Sequence, residues 1–131
     1  MINAPLISPI YMGIVGLLTL YLSVHASRNR REHKVSTGDG DVPALFKAIR
    51  VHANLIENAP LALILLLAIE LQGASGWIVH GLGLAFVVGR LLHAYGLGCN
   101  PQVPNARLVG SVITLVYLLT ASLGVIAISI F

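Results

Sequence analysis

Four apolar runs, roughly Pro5–Ala26, Ala44–Gln72, Gly76–Leu97 and Ala106–Phe131, constrain this chain more than any other feature. Each reaches the about 20 residues that a helix needs to cross a hydrocarbon core of about 30 Å. In lipid every backbone N–H and C=O must find a partner within the protein, which leaves helices or closed barrels. None of the runs alternates apolar with polar residues as a barrel strand does, so the reading is four transmembrane helices in an all-α bundle. Composition agrees: 56% of residues are hydrophobic and 10% charged, against about 25% charged in a soluble domain. A single domain over residues 1–131 is expected.

The basic residues orient that bundle. No Lys or Arg precedes the first run, whereas "SRNRREHK" follows it. The run therefore reads as a retained anchor rather than a cleaved signal, despite the small-residue stretch "SVHA". With four spans, all eight Lys and Arg residues fall in one half of the membrane. Arg28, Arg30, Arg31, Lys34, Lys47 and Arg50 lie in or beside the first connection, Arg90 in the later half of the third helix, and Arg107 at the start of the fourth. The positive-inside rule makes that half cytoplasmic, with the first and third connections inside and both termini outside. The second connection, "LQGASGW", is uncharged, and Glu70 is the only ionisable acid near it. Anionic lipid headgroups are natural partners for the basic side. No metal-ligand spacing and no nucleic-acid motif is present, and the lone Cys99 forms no intrachain disulfide.

Short connections imply sequential helices packed antiparallel, up-down-up-down. "TGDGDVP" is rich in turn formers; Pro43 suits the first turn of the second helix, with Asp41 or Asp39 as its cap and Asn105 as cap of the last. Gly81, Gly83, Ala85 and Gly89 in the third helix, with Gly110 and Ser111 in the fourth, offer surfaces for close helix approach.

The chemistry concentrates in "RVHANLIENAP", at the start of the second run. At about 100° per residue, Asn54 lies about 40° from Arg50 and Glu57 about 20° away on the other side. Arg50, Asn54 and Glu57 thus form one polar stripe, which Leu61, Ile64 and Ala68 continue as apolar residues. Charges at this depth cost about 2.5–3.5 kcal/mol each at a helix centre, so they face protein or a wet cleft. One account pairs Glu57 with Arg50, Arg90 or Arg107 in internal salt bridges that fix helix register. The other is an anion-binding site, because three arginines face one glutamate and leave positive charge over.

"RVHANLIENAPLALILL", with Arg50, Asn54, Glu57 and Pro60 at this spacing, closely resembles the signature of the MAPEG family, the membrane-associated proteins in eicosanoid and glutathione metabolism. "STGDGD" resembles the glycine-rich approach loop of the family's bacterial branch, "GRLLHAYG" its third-helix motif, and Arg107 falls near its fourth-helix arginine. The resemblance covers essentially the whole chain. It implies a homotrimer in the bacterial inner membrane that binds glutathione between subunits near the cytoplasmic face. Conjugation, peroxide reduction and isomerisation of lipophilic substrates all occur in the family. On that reading the arginines Arg50 and Arg90 hold carboxylates, Glu57 holds the ammonium, and Asn54 donates and accepts. Arg107 faces the sulfur and favours thiolate, the nucleophilic form. Arg30, His93 and Tyr95 are further candidates for the glutathione pocket. The sequence departs from the family pattern at Asn58 and Leu97, where aromatic residues are usual. That departure keeps a second reading open: a noncatalytic protein of the same fold that binds a small anion or a lipid headgroup.

Overall fold

A computed structural model describes residues 6–130. The expected helix ends at Pro5 and Phe131, and both termini, lie outside the described residues. Four helices follow one another: α1 (Ser8–Glu32), α2 (Pro43–Leu71), α3 (Gly76–Gly98) and α4 (Pro104–Ile130). All four are long and apolar enough to cross a membrane, and no strand occurs among the described residues. The fold is the expected all-α membrane bundle.

Several helix ends depart from expectation, each for a local reason. α1 continues past Ala26 to Glu32, because "SRNRRE" holds good helix formers and sets Arg30 and Arg31 in the last turn, where cations meet the negative end of the helix dipole. It closes in a Schellman arrangement, with Lys34 at φ +55° and the N–H groups of Lys34 and Val35 donating to Arg31 O and Arg30 O. Neither Asp41 nor Asp39 caps α2. The cap position is Val42, with no side-chain bond, because both aspartates belong to the preceding turn, where Asp39 Oδ1 accepts from Asp41 N at 3.2 Å. Gly40 is required in that turn: its φ is +58°, and a Cβ there would lie 2.7 Å from Val35. Pro43 occupies the first turn of α2 as expected. Asn105 lies inside α4, whose first turn is closed by Arg107 N donating to Val103 O.

α2 and α3 form the centre. α1 packs on both from one side and α4 from the other, and α1 does not touch α4. Leu55, Ala62, Leu66 and Ile69 of α2 meet Val79 and Phe86 of α3, Val15 and Leu22 of α1, and Tyr117 and Ala121 of α4. Phe86 and Tyr117 pack with ring centroids 5.2 Å apart, and the Tyr117 hydroxyl donates to Ala62 O at 2.7 Å. Large apolar side chains such as Leu17, Trp77 and Leu115 cover the outside, the inverse of a surface built for water.

Glu70 has a structural task. α1 has no acidic residue in its first turn. Instead the Glu70 carboxylate, at the far end of α2, accepts the backbone N–H groups of Ile7 and Ser8, the latter at 2.8 Å. A negative charge at a helix N-terminus satisfies orphan donors and meets the positive end of the dipole. This contact joins the end of α2 to the start of α1 and fixes the two helices antiparallel.

Small residues set the α3–α4 crossing. Atoms of a Cβ at Gly110 would lie 2.5 Å from Gly89 O and His93 N, and a Cβ at Gly89 would sit 3.2 Å from Gly110 O. A Cβ at Gly96 would collide with the backbone of Arg107. The two backbones are therefore in direct contact over about two turns. Gly83 receives the Tyr11 ring, whereas Gly81 faces open space, and Ser111 turns back to bond Arg107 O at 3.0 Å. Gly81 therefore does not contribute to helix contact as expected.

Candidate functional site

The polar stripe of α2 divides between two directions. Arg50 and Glu57 form an ion pair at 3.7 Å on the outside of the helix bundle, their side chains 45% and 54% exposed. They are two turns apart, the spacing at which helical side chains stack along one face. Asn54, one turn from Arg50, points toward α3 and accepts from Arg90 Nη1 at 2.5 Å. Asn58 is turned back along its own helix, with Nδ2 donating to Asn54 O at 2.8 Å.

Arg90 is the unusual group. It is 3% exposed, and its Nε has no hydrogen-bond partner. No carboxylate pairs with it among the described residues, where the salt bridge is that of Arg50 with Glu57. The amide of Asn54 supplies one neutral acceptor to a group with five donors and a full charge. A buried guanidinium in that state lacks the counter-charge that burial ordinarily requires. His93, one turn on, is also buried, and its ring makes no hydrogen bond among the described residues.

Arg107 enters from α4. The glycine contacts at Gly89, Gly96 and Gly110 bring the first turn of α4 against α3, with the Arg107 backbone against Gly96. The Arg107 side chain is exposed and makes no hydrogen bond or ion pair among the described residues. Arg50, Asn54, Glu57, Arg90, His93 and Arg107 thus cluster toward the basic end of α2, α3 and α4.

Two further candidates sit apart. Arg30 Nη1 donates to Gly38 O at 2.6 Å and ties down the first connection. Tyr95 is exposed on a different face of α3 from Arg90, in a cavity of about 630 Å³ between α1, α2 and α3. That cavity was not anticipated, although Leu18, Tyr21, Leu22, His25 and Asn29 recur at helical spacing along one face of α1. The Asn54–Arg90 bond was also missed, since helical spacing alone grouped Asn54 with Arg50 and Glu57. Among the described residues no group of His, Cys, Asp or Glu is arranged to hold a metal ion.

Four long apolar helices with a cation-rich polar cluster toward one end define a multi-pass membrane bundle. The chain belongs to the MAPEG family, whose pattern matches residues 8–127. It is 38% identical over 91 residues to inner membrane protein YecN of Escherichia coli strain K12, a match that covers 70% of each chain. The protein of the same name from Escherichia coli O6:H1 matches to the same extent.

Proposed function

We propose that this protein is a membrane-bound, glutathione-dependent transferase or peroxidase acting on lipophilic electrophiles or hydroperoxides. The observation that carries the reading is Arg90: a guanidinium 3% exposed, with an orphaned Nε and a single neutral partner in Asn54. Membership of the MAPEG family supports glutathione as the anion that completes it. At neutral pH glutathione offers two carboxylates, one ammonium and a thiol of pKa about 8.5.

The residues divide the work accordingly. Arg90 and Arg50 hold carboxylates, since a guanidinium grips a carboxylate through two parallel hydrogen bonds. Glu57 releases part of its long contact with Arg50 to take the ammonium. The free Nδ2 of Asn54 donates to the peptide backbone of the ligand, and His93 forms the buried wall beside Arg90. Arg107, permanently charged and uncommitted, faces the sulfur and lowers the cost of the thiolate. That thiolate attacks an electrophile arriving from the bilayer. Arg30 and Tyr95 are left out, Arg30 because its guanidinium is engaged with Gly38 O, Tyr95 because it faces another cavity.

The Arg50–Glu57 pair, half exposed above the exposed Leu61 and Ile64, supports assembly. Charges facing lipid are costly, so this face is covered by neighbouring copies, in a homotrimer with the ligand between subunits. The excess of basic residues at one end supports a cytoplasmic site and outer termini. The YecN relatives, named as inner membrane proteins, support the same membrane here.

The test is calorimetry of the purified protein in detergent with glutathione at millimolar concentration. Saturable binding is expected, and its absence overturns the reading. Native mass spectrometry should show three copies. A second reading, an anion binder without thiol chemistry, is favoured by Asn58 and Leu97 at positions where the family usually has aromatics. A thiolate difference spectrum separates the two, because a binder that does not activate the thiol gives none. In the enzyme, Arg107→Ala should diminish that spectrum more than it weakens affinity.

A further inference from the structure

The cavity of about 630 Å³ lies between α1, α2 and α3, on a face of α2 turned away from Arg50 and Glu57. Its size is that of a site for a small-molecule ligand. Two of its three walls change character in the same direction: along α1 the lining runs Asn29, His25, Leu22, Leu18, and along α3 it runs Asn100, Tyr95, Ala94, Leu91, while α2 contributes Lys47 among the apolar Pro43, Ala44, Ala48 and Val51. The end near the connections is therefore polar and cationic, and the other end apolar.

The depth of the groove fits the membrane. From Asn29 to Leu18 is eleven residues of α1, about 16 Å at 1.5 Å per residue. One leaflet of a hydrocarbon core of about 30 Å is about 15 Å deep. The polar end thus falls at the headgroup level and the apolar end near the bilayer midplane. Tyr95 stands at the rim toward the polar end, 59% exposed, an amphipathic side chain favoured at that level.

Lys47 is the charge at the polar end. Its Nζ makes two long contacts with neutral oxygens, Cys99 O at 3.4 Å and Asn100 Oδ1 at 3.5 Å. No carboxylate pairs with it among the described residues. His25 stacks on Tyr21, with ring centroids 6.4 Å apart, and both line the same groove. The site offers a cation and hydrogen-bonding groups above an apolar slot. A phosphodiester bearing an acyl chain matches both parts.

We propose that this groove holds one anionic phospholipid of the leaflet at the basic end, its phosphate on Lys47 and one acyl chain between α1 and α3. The site is separate from Arg90 and does not depend on the glutathione reading. The lipid closes a gap in the bundle and supplies the negative charge that Lys47 lacks.

The test uses the full chain purified with phosphatidylglycerol or phosphatidylcholine and analysed by native mass spectrometry and thermal unfolding. One retained phosphatidylglycerol per subunit is expected, with a higher unfolding temperature than in phosphatidylcholine. Lys47→Gln should lower phosphatidylglycerol retention about fivefold, the value of one basic residue near a headgroup. Gly98→Leu provides a second variant. A Cβ at Gly98 meets nothing closer than Val51 at 3.8 Å, so the fold tolerates it while the longer side chain fills the groove, and retention should fall with Lys47 intact. Equal retention of both lipids, unchanged by either variant, overturns the proposal. Displacement of the lipid by an equimolar free fatty acid overturns the phospholipid assignment. A photoreactive residue at Tyr95 should capture lipid, and capture of a second copy of the chain instead would also overturn it.

Discussion

Replacing Gly110 by alanine tests whether the α3–α4 contact sets both the stability of the bundle and the position of Arg107. The new Cβ would lie 2.5 Å from Gly89 O and from His93 N, and 3.0 Å from His93 Cα. All three are backbone atoms of α3, so no side chain can swing aside. Restoring an ordinary contact of about 3.5 Å requires the helices to separate by about 1 Å. Overpacking of this kind costs about 1–3 kcal/mol, against the about 0.5–1 kcal/mol that alanine gains over glycine within a helix. Gly81→Ala is the matched control. It lies in the same helix as Gly89 and faces open space, so only the helix gain of about 0.5–1 kcal/mol applies.

Reversible unfolding in mixed micelles, followed by far-ultraviolet circular dichroism, measures the difference between the two variants. Gly110→Ala should be the less stable by about 1–3 kcal/mol, the size of the overpacking term. Because Arg107 lies less than one turn before Gly110, the separation also carries its guanidinium away from α3. At saturating glutathione the thiolate difference spectrum should therefore shrink in Gly110→Ala and persist in Gly81→Ala. Equal stabilities would show that the backbones are not in contact and refute the account of the crossing. A normal thiolate signal in a destabilised Gly110→Ala would separate Arg107 from the crossing.

Three further substitutions probe other contacts. Arg90→Met removes a buried charge and also strands Asn54, two effects of opposite sign. Unliganded stability should stay within about 1 kcal/mol, while calorimetry shows glutathione affinity falling by about 2–5 kcal/mol, the range for a buried charge contact; the reverse pattern would make Arg90 structural. Glu70→Gln should cost about 1–2 kcal/mol through the weakened cap on α1, with hydrogen exchange accelerating in the first turn of α1 and glutathione binding unchanged. Tyr117→Phe should cost about 1 kcal/mol for its bond to Ala62 O and leave glutathione affinity alone.

The spans were legible because lipid imposes a single rule along the chain: an apolar run of sufficient length must be a helix. The helix ends were less so. "SRNRRE" reads as a polar connection by composition, yet arginine and glutamate sustain a helix once lipid no longer limits it, and α1 runs on to Glu32. Asp39 and Asp41 read as caps because their side chains suit that role. A tight turn competes for the same side chains, and the left-handed Asp41, at φ +57°, is committed to it. Glu70 was conspicuous as the one acid near its face. Its role depends on the start of α1, more than sixty residues away in sequence, which no local pattern encodes.

The candidate site shows where spacing stops being informative. Angles along α2 gather Arg50, Asn54 and Glu57 on one side, but an arc of about 60° is wide enough to straddle two neighbours. Packing then decides: α3 takes Asn54 through Arg90, and Arg50 keeps Glu57 on the outside. The charge count, three arginines against one glutamate, survives that division in sharper form. It isolates Arg90 as the cation buried without a counter-charge, while Arg50 is paired and Arg107 is exposed. Only the first of these needs an anion to offset its burial. The proposed anion site therefore rests on one residue of α3 rather than on the α2 signature, and Arg90→Met is the substitution that separates the two.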